Sequence, residues 1–192
     1  MPWLIVILTY FIGSIPTTYI AGHLVKGKDI RQMGDGNAGA ANAFRQLGTK
    51  IGITVFFIDV GKGFLAILVA QAASLPQVAV LFAGTTAVIG HNWPVFIGFR
   101  GGRGASTSIG VLLGVVTQPM LFLAGPAMLV LLIRRKVTLA STFLFIPLPL
   151  LCWWLGLPGI LVAYSIGLPC LVGFTHFLRT RRVADTLGTS ST

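Results

Sequence analysis

Charge is what this sequence has least of. Only 9% of its 192 residues are Asp, Glu, Lys or Arg, against roughly 25% in an ordinary soluble domain. A water-facing surface cannot be built from so few, and a 55% hydrophobic content with a mean hydropathy of +0.88 makes lipid the main solvent. Acids are scarcer still, four against 14 Lys and Arg, for a net charge of +10. In a membrane protein such an excess reports topology before it reports a nucleic-acid partner, so no nucleic acid is expected. Cysteine is limited to Cys152 and Cys170, both in apolar stretches. That excludes a zinc-type spacing and a secreted disulfide framework. No internal repeat is evident. The first apolar run, Trp3 to Ala21, lacks the basic start and small-residue cleavage site of a secretory signal, so it reads as a retained span.

What is present is a series of long apolar runs. A spanning helix needs about 20 apolar residues to cross about 30 Å of hydrocarbon. The runs at 3–23, 51–73, 77–98, 137–155 and 157–177 qualify, and 105–133 is too long for one crossing. Gln118-Pro119 interrupts it, and proline cannot continue a helical ladder, so two shorter crossings are expected. The basic residues test this division. Lys26, Lys28, Arg31, Arg45 and Lys50 form one group, Arg100 and Arg103 a second, Arg134, Arg135 and Lys136 a third, and Arg179, Arg181 and Arg182 a fourth. The connections at 74–76, 118–119 and 156–158 carry no charge. Seven crossings place every basic group on one face and every uncharged connection on the other, as the positive-inside rule requires.

The expected fold is therefore an all-α membrane protein with seven transmembrane helices, the N-terminus outside, the C-terminus cytoplasmic, and the glycine-rich loops on the cytoplasmic side. Residues 1–182 read as a single transmembrane domain and 183–192 as a flexible tail. Residues 105–117 would rise only about 20 Å as a helix, which implies that the loop before them dips into the membrane.

Two loops carry the candidate chemistry. In the first, Gly34, Gly36 and Gly39 let the backbone approach a ligand closely, with Arg31 and Arg45 flanking them. Arginine presents a fork of donors matched to phosphate oxygens, so the segment reads as an anion cradle, or else as a flexible loop with topogenic charge. In the second, Arg100 and Arg103 alternate with Gly101, Gly102 and Gly104 just before a helix begins, where unpaired amides and the dipole favour an anion. The pattern is neither a Walker loop nor a dinucleotide fingerprint. Asp59 and Lys62 stand three apart on one helical face, as an ion pair or a substrate contact. His91 and His176 could bind phosphate or act as acid or base, or lie simply at the membrane interface; His23 reads as interfacial only. Gly13-Ser14-Ile15-Pro16 marks a kink.

Taken together, Gly13-Ser14-Ile15-Pro16, the Gly34 to Asn42 loop with Arg45, the Asp59/Lys62 span, His91 with Pro94, and the Phe99 to Gly104 loop resemble the acyl-phosphate glycerol-3-phosphate acyltransferase family. The resemblance implies a bacterial inner-membrane, multi-pass enzyme of phospholipid synthesis. Such an enzyme moves a fatty acyl group from acyl phosphate to the 1-hydroxyl of glycerol 3-phosphate, giving lysophosphatidic acid and phosphate. It implies no metal and no organic cofactor, membrane lipids as surroundings, and functional coupling to the enzyme that makes acyl phosphate. By position it has Arg45, Arg100 and Arg103 hold phosphate groups, Asn37 and Asn42 shape the first loop and His176 close the site; the candidate catalytic residues are Asp35, Arg103 and His176. Substrate contacts fall to Arg31, Gly34, Gly36, Asn37, Gly39, Asn42, Arg45, Lys62, His91, Arg100, Gly101, Gly102 and Gly104.

Four positions depart from the family pattern. Asp35 stands where the loop normally has serine, Arg100 and Arg103 where lysines are usual, and Arg179 where asparagine is usual. Asp35 would repel a phosphate dianion unless an arginine pairs with it, and it could serve as general base. These departures leave open a different polyol-phosphate acceptor or an inactive paralogue. A small anion transporter is the competitor from another class, although paired broken repeats are not evident.

Overall fold

The structure, a computed structural model, describes residues 2–134 and 137–188, with side chains described through Arg179. Ten α-helices follow one another among these residues: α1 Pro2–Ser14, α2 Thr17–Lys26, α3 Ala40–Leu47, α4 Thr49–Ala72, α5 Gln77–Asn92, α6 Ala105–Val115, α7 Thr117–Arg134, α8 Val137–Phe145, α9 Leu148–Trp154 and α10 Gly159–Gly188. No strand occurs among the described residues. An all-helical chain is what lipid demands, because a helix satisfies its backbone hydrogen bonds within itself.

Six helical stretches are long and apolar enough to cross a membrane: Pro2–Lys26, Thr49–Ala72, Gln77–Ile97, Thr117–Arg134, Val137–Trp154 and Gly159–Arg179. The apolar helix α6 is shorter and rises only about 16 Å, close to the short element expected over 105–117. The burial pattern is inverted relative to a water-soluble fold. Phe57, Leu129 and Trp154 are 60, 58 and 75% exposed, whereas Asp59 and Lys62 on α4 are buried. The chain is a multi-pass membrane protein with its charge inside and its apolar side chains turned to lipid.

Helix boundaries follow local chemistry. The first span breaks at Ile15-Pro16, as the kink motif implies, and α1 and α2 are its two halves. The break in 105–133 falls at Val116 rather than at Gln118-Pro119. Both residues lie in the first turn of α7, where the missing proline N–H would have had no intrahelical acceptor. The span at 137–155 is also broken, at Ile146-Pro147, into α8 and α9. At the far end α10 continues through Gly188. Residues 183–188, expected to be a flexible tail, are thus helical, while 189–192, together with Arg135 and Lys136 of the third basic group, lie outside the described residues.

The core is closed by small residues at helix crossings. A Cβ on Gly110 of α6 would stand 1.9 Å from the Val60 carbonyl oxygen of α4, and one on Gly63 of α4 would stand 2.1 Å from the Thr107 oxygen of α6. The crossing of α1 and α5 is built likewise, with Gly13 against the Ala87 oxygen and Gly90 against the Tyr10 oxygen. Without a hydrophobic drive between helices in lipid, such close backbone approach supplies the packing. Hydrogen bonds reinforce it: Tyr10 Oη donates to the Trp93 carbonyl at 2.8 Å and Tyr164 Oη to the Leu81 carbonyl at 3.0 Å. These crossings bring the ends of α2, α5 and α10 and the starts of α4, α6 and α8 to one face, which carries both glycine-rich loops.

Overpacking a close contact of this kind costs about 1–3 kcal/mol or more. Gly110→Leu should therefore lower stability in mixed-micelle unfolding by at least that amount. Gly167→Leu, whose Cβ meets no atom within 4 Å, should leave the unfolding midpoint unchanged.

Candidate functional site

Beneath the glycine-rich face lies a buried charged group. Lys62 Nζ is 2.9 Å from Asp59 Oδ1 and donates to the Ile15 carbonyl at 3.0 Å. That carbonyl sits at the proline break of the first span, where the helical ladder is interrupted, so the ammonium supplies a donor at membrane depth. His91 Nδ1 of α5 approaches the same Asp59 oxygen at 3.7 Å. The pair is thus an ion pair within α4, packed against the break of the first span and the end of α5. Lys62, expected among the substrate contacts, lines neither of the cavities described below.

On this base the second loop, 93–104, turns back over the end of α5. Gly101 N–H donates to the Asn92 carbonyl at 3.2 Å and Gly102 N–H to the His91 carbonyl at 3.0 Å, so terminal carbonyls of α5 are capped by the loop itself. Only glycine fits: a Cβ on Gly102 would stand 2.0 Å from His91 Nε2, and one on Gly101 would stand 2.1 Å from the His91 oxygen. The Arg179 guanidinium of α10 donates to the carbonyls of Gly101 and Asn92, placing a cation at a helix C-terminus. Thr175 Oγ1 donates to the Arg103 carbonyl at 3.0 Å, a second tie from α10 to this loop.

The first loop, 27–48, is folded by its own side chains. Arg31 contacts the Asp29 carboxylate at 2.7 Å, donates to the Ile97 carbonyl at 2.7 Å, and lies over the Tyr19 ring. Asn42 is fully buried and donates to the carbonyls of Ile30 and Met33. Neither residue lines the two cavities described below: Arg31 ties the first loop to the second, and Asn42 pins the Gly34 turn, where a Cβ would collide with the Asn42 side chain. Gly34 and Gly36 have φ of +60° and +67°, the left-handed region that glycine adopts without strain. The Arg31 guanidinium holds the Asp29 carboxyl below the usual carboxylate range.

Asp35 joins the two loops. Its Oδ2 is 2.8 Å from Arg45 Nη2 and 3.2 Å from Arg103 Nη2, and its Oδ1 accepts the Asn37 N–H at 3.3 Å. The carboxylate that would otherwise repel phosphate is therefore paired with two arginines.

Two cavities open at this junction and share Asn37 and Arg103. The cationic one, about 640 Å³, is bordered by Asp35, Gly36, Arg100, Arg103, Thr175 and Arg179 beside Trp93, Phe99 and Leu178. The other, about 630 Å³, begins at Asn37, Gly39, His91, Gly104 and His176 and runs between the α8–α9 span and α10 over mainly apolar side chains. Asn37 Oδ1 and Arg103 Nε have no hydrogen-bond partner among the described residues, which leaves an acceptor and a donor at the junction.

The structure thus gathers Asp35, Gly36, Asn37, Gly39, His91, Arg100, Arg103, Gly104 and His176 around the cavities. Arg45 joins them from the rim, 51% exposed, through Asp35. Gly34, Gly101 and Gly102 shape the loops from behind. Sequence reasoning did not place Arg179 or Thr175 in the site, nor the walls of the apolar cavity. The spacing of Ser141, Phe145 and Pro149, and of Ser165, Pro169 and Val172, could have revealed those walls as single helical stripes.

Breaking a buried ion pair by removing one partner typically costs 3–5 kcal/mol. Asp59→Asn should cost about that in detergent unfolding, and Asp59→Asn with Lys62→Met should recover most of it. For the first loop the sign follows from Asp29. Its folded pKa lies below the ordinary aspartate value, so its contribution is present above that value and lost as pH falls through the folded one. Limited proteolysis of residues 27–48 should therefore be constant from neutral pH down to about pH 4 and rise only below it, whereas Asp29→Asn should raise it throughout.

Comparison with known proteins gives the same picture. The family model for glycerol-3-phosphate acyltransferase matches residues 3–186. Glycerol-3-phosphate acyltransferase 4 of Dehalococcoides mccartyi is 53% identical over 182 residues, covering 95% of this chain and 98% of that protein. Glycerol-3-phosphate acyltransferase of Chlorobium chlorochromatii is 44% identical over 158 residues, 77% of this chain and 68% of that one. The crystal structure of the integral membrane glycerol 3-phosphate acyltransferase PlsY in its glycerol 3-phosphate form superposes with a TM-score of 0.82 at 34% identity, covering 96% of this chain and 92% of that chain. A second form of PlsY, with lysophosphatidic acid, gives 0.76 at 32% identity over the same shares. The chain belongs to the glycerol-3-phosphate acyltransferase family.

Proposed function

We propose that this protein transfers a fatty acyl group from acyl phosphate to the 1-hydroxyl of glycerol 3-phosphate, releasing lysophosphatidic acid and phosphate at the cytoplasmic face of a bacterial inner membrane. The observation that carries this reading is the meeting of an apolar cavity and a cationic one at Asn37 and Arg103. One reactant needs a place for a long apolar chain and both need a place for a phosphate. The ligands named for the two PlsY structures, glycerol 3-phosphate and lysophosphatidic acid, are the acceptor and the product of this reaction. The basic groups collected on the loop face support the cytoplasmic orientation.

The acceptor occupies the cationic cavity, its phosphate matched to Arg100, Arg103 and Arg179. The donor chain lies in the apolar cavity, with its phosphate at the junction near Arg103 and the unpaired amides at the start of α6. The acceptor hydroxyl oxygen attacks the donor carbonyl carbon. The bond from that carbon to the phosphate oxygen breaks, and its electron pair leaves with the phosphate. The hydroxyl proton passes to Asp35 and then to the phosphate, so the carboxylate is regenerated. Arg103 and His176, both on the wall at the junction, stabilise the oxygen charge that grows during attack. Acyl phosphate is already activated, so positioning and charge complementarity supply most of the acceleration. On this reading the protein is functionally coupled to the enzyme that produces acyl phosphate.

With palmitoyl phosphate and labelled glycerol 3-phosphate, the detergent-solubilised protein should form lysophosphatidic acid and phosphate in equal amounts. Arg103→Ala should lower kcat/KM by about 10²–10³, and Arg45→Ala should act mainly through KM for glycerol 3-phosphate. Asp35→Asn should lose about 10² or more in kcat; full activity in that variant would remove Asp35 as the base. Transfer to another polyol phosphate in preference to glycerol 3-phosphate would replace the acceptor, and no transfer at all by folded protein would overturn the reading.

A further inference from the structure

The apolar cavity has a definite length. On α10 its wall is Ser165, Pro169, Val172 and His176, spaced four, three and four residues apart, which is one stripe along one helical face. Opposite it, Val137, Ser141, Phe145 and Pro149 follow at four-residue intervals along the α8–α9 span. From His176 to Ser165 the wall rises about 17 Å at helical pitch. A saturated chain built from bonds of about 1.5 Å advances about 1.3 Å per carbon, so the groove accompanies about 13 carbons.

The inner end of the groove is not sealed. Ile146 and Ile166, which border it there, are 73 and 50% exposed on the lipid-facing surface. A chain longer than the wall therefore continues outward between them into the bilayer. Nearer the junction the lining is small, with Ser141 and Gly173, and a Cβ on Gly173 would meet no atom within 4 Å.

Resting on the acyl-transfer reading, we propose that this groove is a chain-length ruler with a floor and no ceiling. It favours donors whose acyl chain reaches the Ile146–Ile166 exit, about 13 carbons from the junction, and does not distinguish among longer ones. A shorter chain leaves part of the wall without contact and is free to slide, which misplaces its carbonyl relative to Arg103. A longer chain adds only carbons that lie in lipid.

The test is a series of saturated acyl phosphates from octanoyl to stearoyl, assayed in mixed micelles with glycerol 3-phosphate in excess. In the wild-type protein kcat/KM should rise with chain length to about 12–14 carbons and then level off. Two substitutions at different depths should reset the profile. Ile166→Trp, about 15 Å from His176 along α10, should block the exit and create a ceiling, so that palmitoyl and stearoyl phosphate lose at least tenfold relative to lauroyl phosphate. Gly173→Leu, about 4–5 Å from His176, should fill the groove near its mouth and penalise every donor of eight carbons or more. Gly167→Leu, which also finds open space but lies off the lining, should keep the wild-type profile.

A wild-type profile that is flat from eight carbons upward would overturn the ruler. So would an Ile166→Trp profile parallel to the wild type, and either result would leave acyl transfer standing. No transfer of any donor by folded wild-type protein would overturn the acyltransferase reading and the ruler together.

Discussion

A lysine ammonium at membrane depth supplies a hydrogen-bond donor to the backbone carbonyl at a proline break. Pro16 interrupts the first span at Ile15, and lipid offers no water to solvate what the interruption leaves behind. Lys62 donates to the Ile15 oxygen, and its charge is tolerable there because Asp59 stands 2.9 Å away. His91 borders the same carboxylate, and the glycine-rich second loop rests on His91 so closely that a single Cβ at Gly102 would collide with its ring. The position of Arg100 and Arg103 is in this sense inherited from a kink in the first helix, through one ion pair and one imidazole.

Above that base, opposite charges determine how the loops face each other. Asp35 holds Arg45 and Arg103 from two loops against one carboxylate oxygen. Asp35 therefore sits among enough arginine to leave the face cationic, with Arg100 and Arg179 adding to it. Asp35, Arg100 and Arg179 border one cavity, the long wall of α8–α9 and α10 borders the other, and the two meet where Asn37 and Arg103 border both. The proposed transfer between a water-soluble phosphate and a lipid-borne one would use that boundary.

Contacts written within one element were legible in the sequence. The Asp59/Lys62 pair lies at helical spacing, the kink at Pro16 follows from proline chemistry, and the short sixth helix follows from the charge-free connection near Gln118. Contacts between distant elements were not. Arg31 looks like a phosphate ligand because it flanks three glycines, but its partners are Asp29 two residues before it and the Ile97 carbonyl in the other loop. Asn42 resembles a site residue for the same reason, yet its amide closes the turn beneath the site. Pro119 reads as a helix break in the sequence, yet the rule against proline does not extend to the first turn, where the structure places it. The groove between the α8–α9 span and α10 escaped because its small and hydroxyl side chains carry no charge to draw notice.

The tie from Arg179 to the carbonyls of Gly101 and Asn92 has a consequence for biogenesis. Synthesis runs from the N-terminus, so both glycine-rich loops leave the ribosome well before the residues of α10 that fasten the second of them. Until the last span is inserted, the end of α5 lacks its guanidinium cap and the apolar groove lacks one wall. Maturation of the site therefore waits for the final membrane insertion event, and a nascent or truncated chain would have its loops without the frame that aims them.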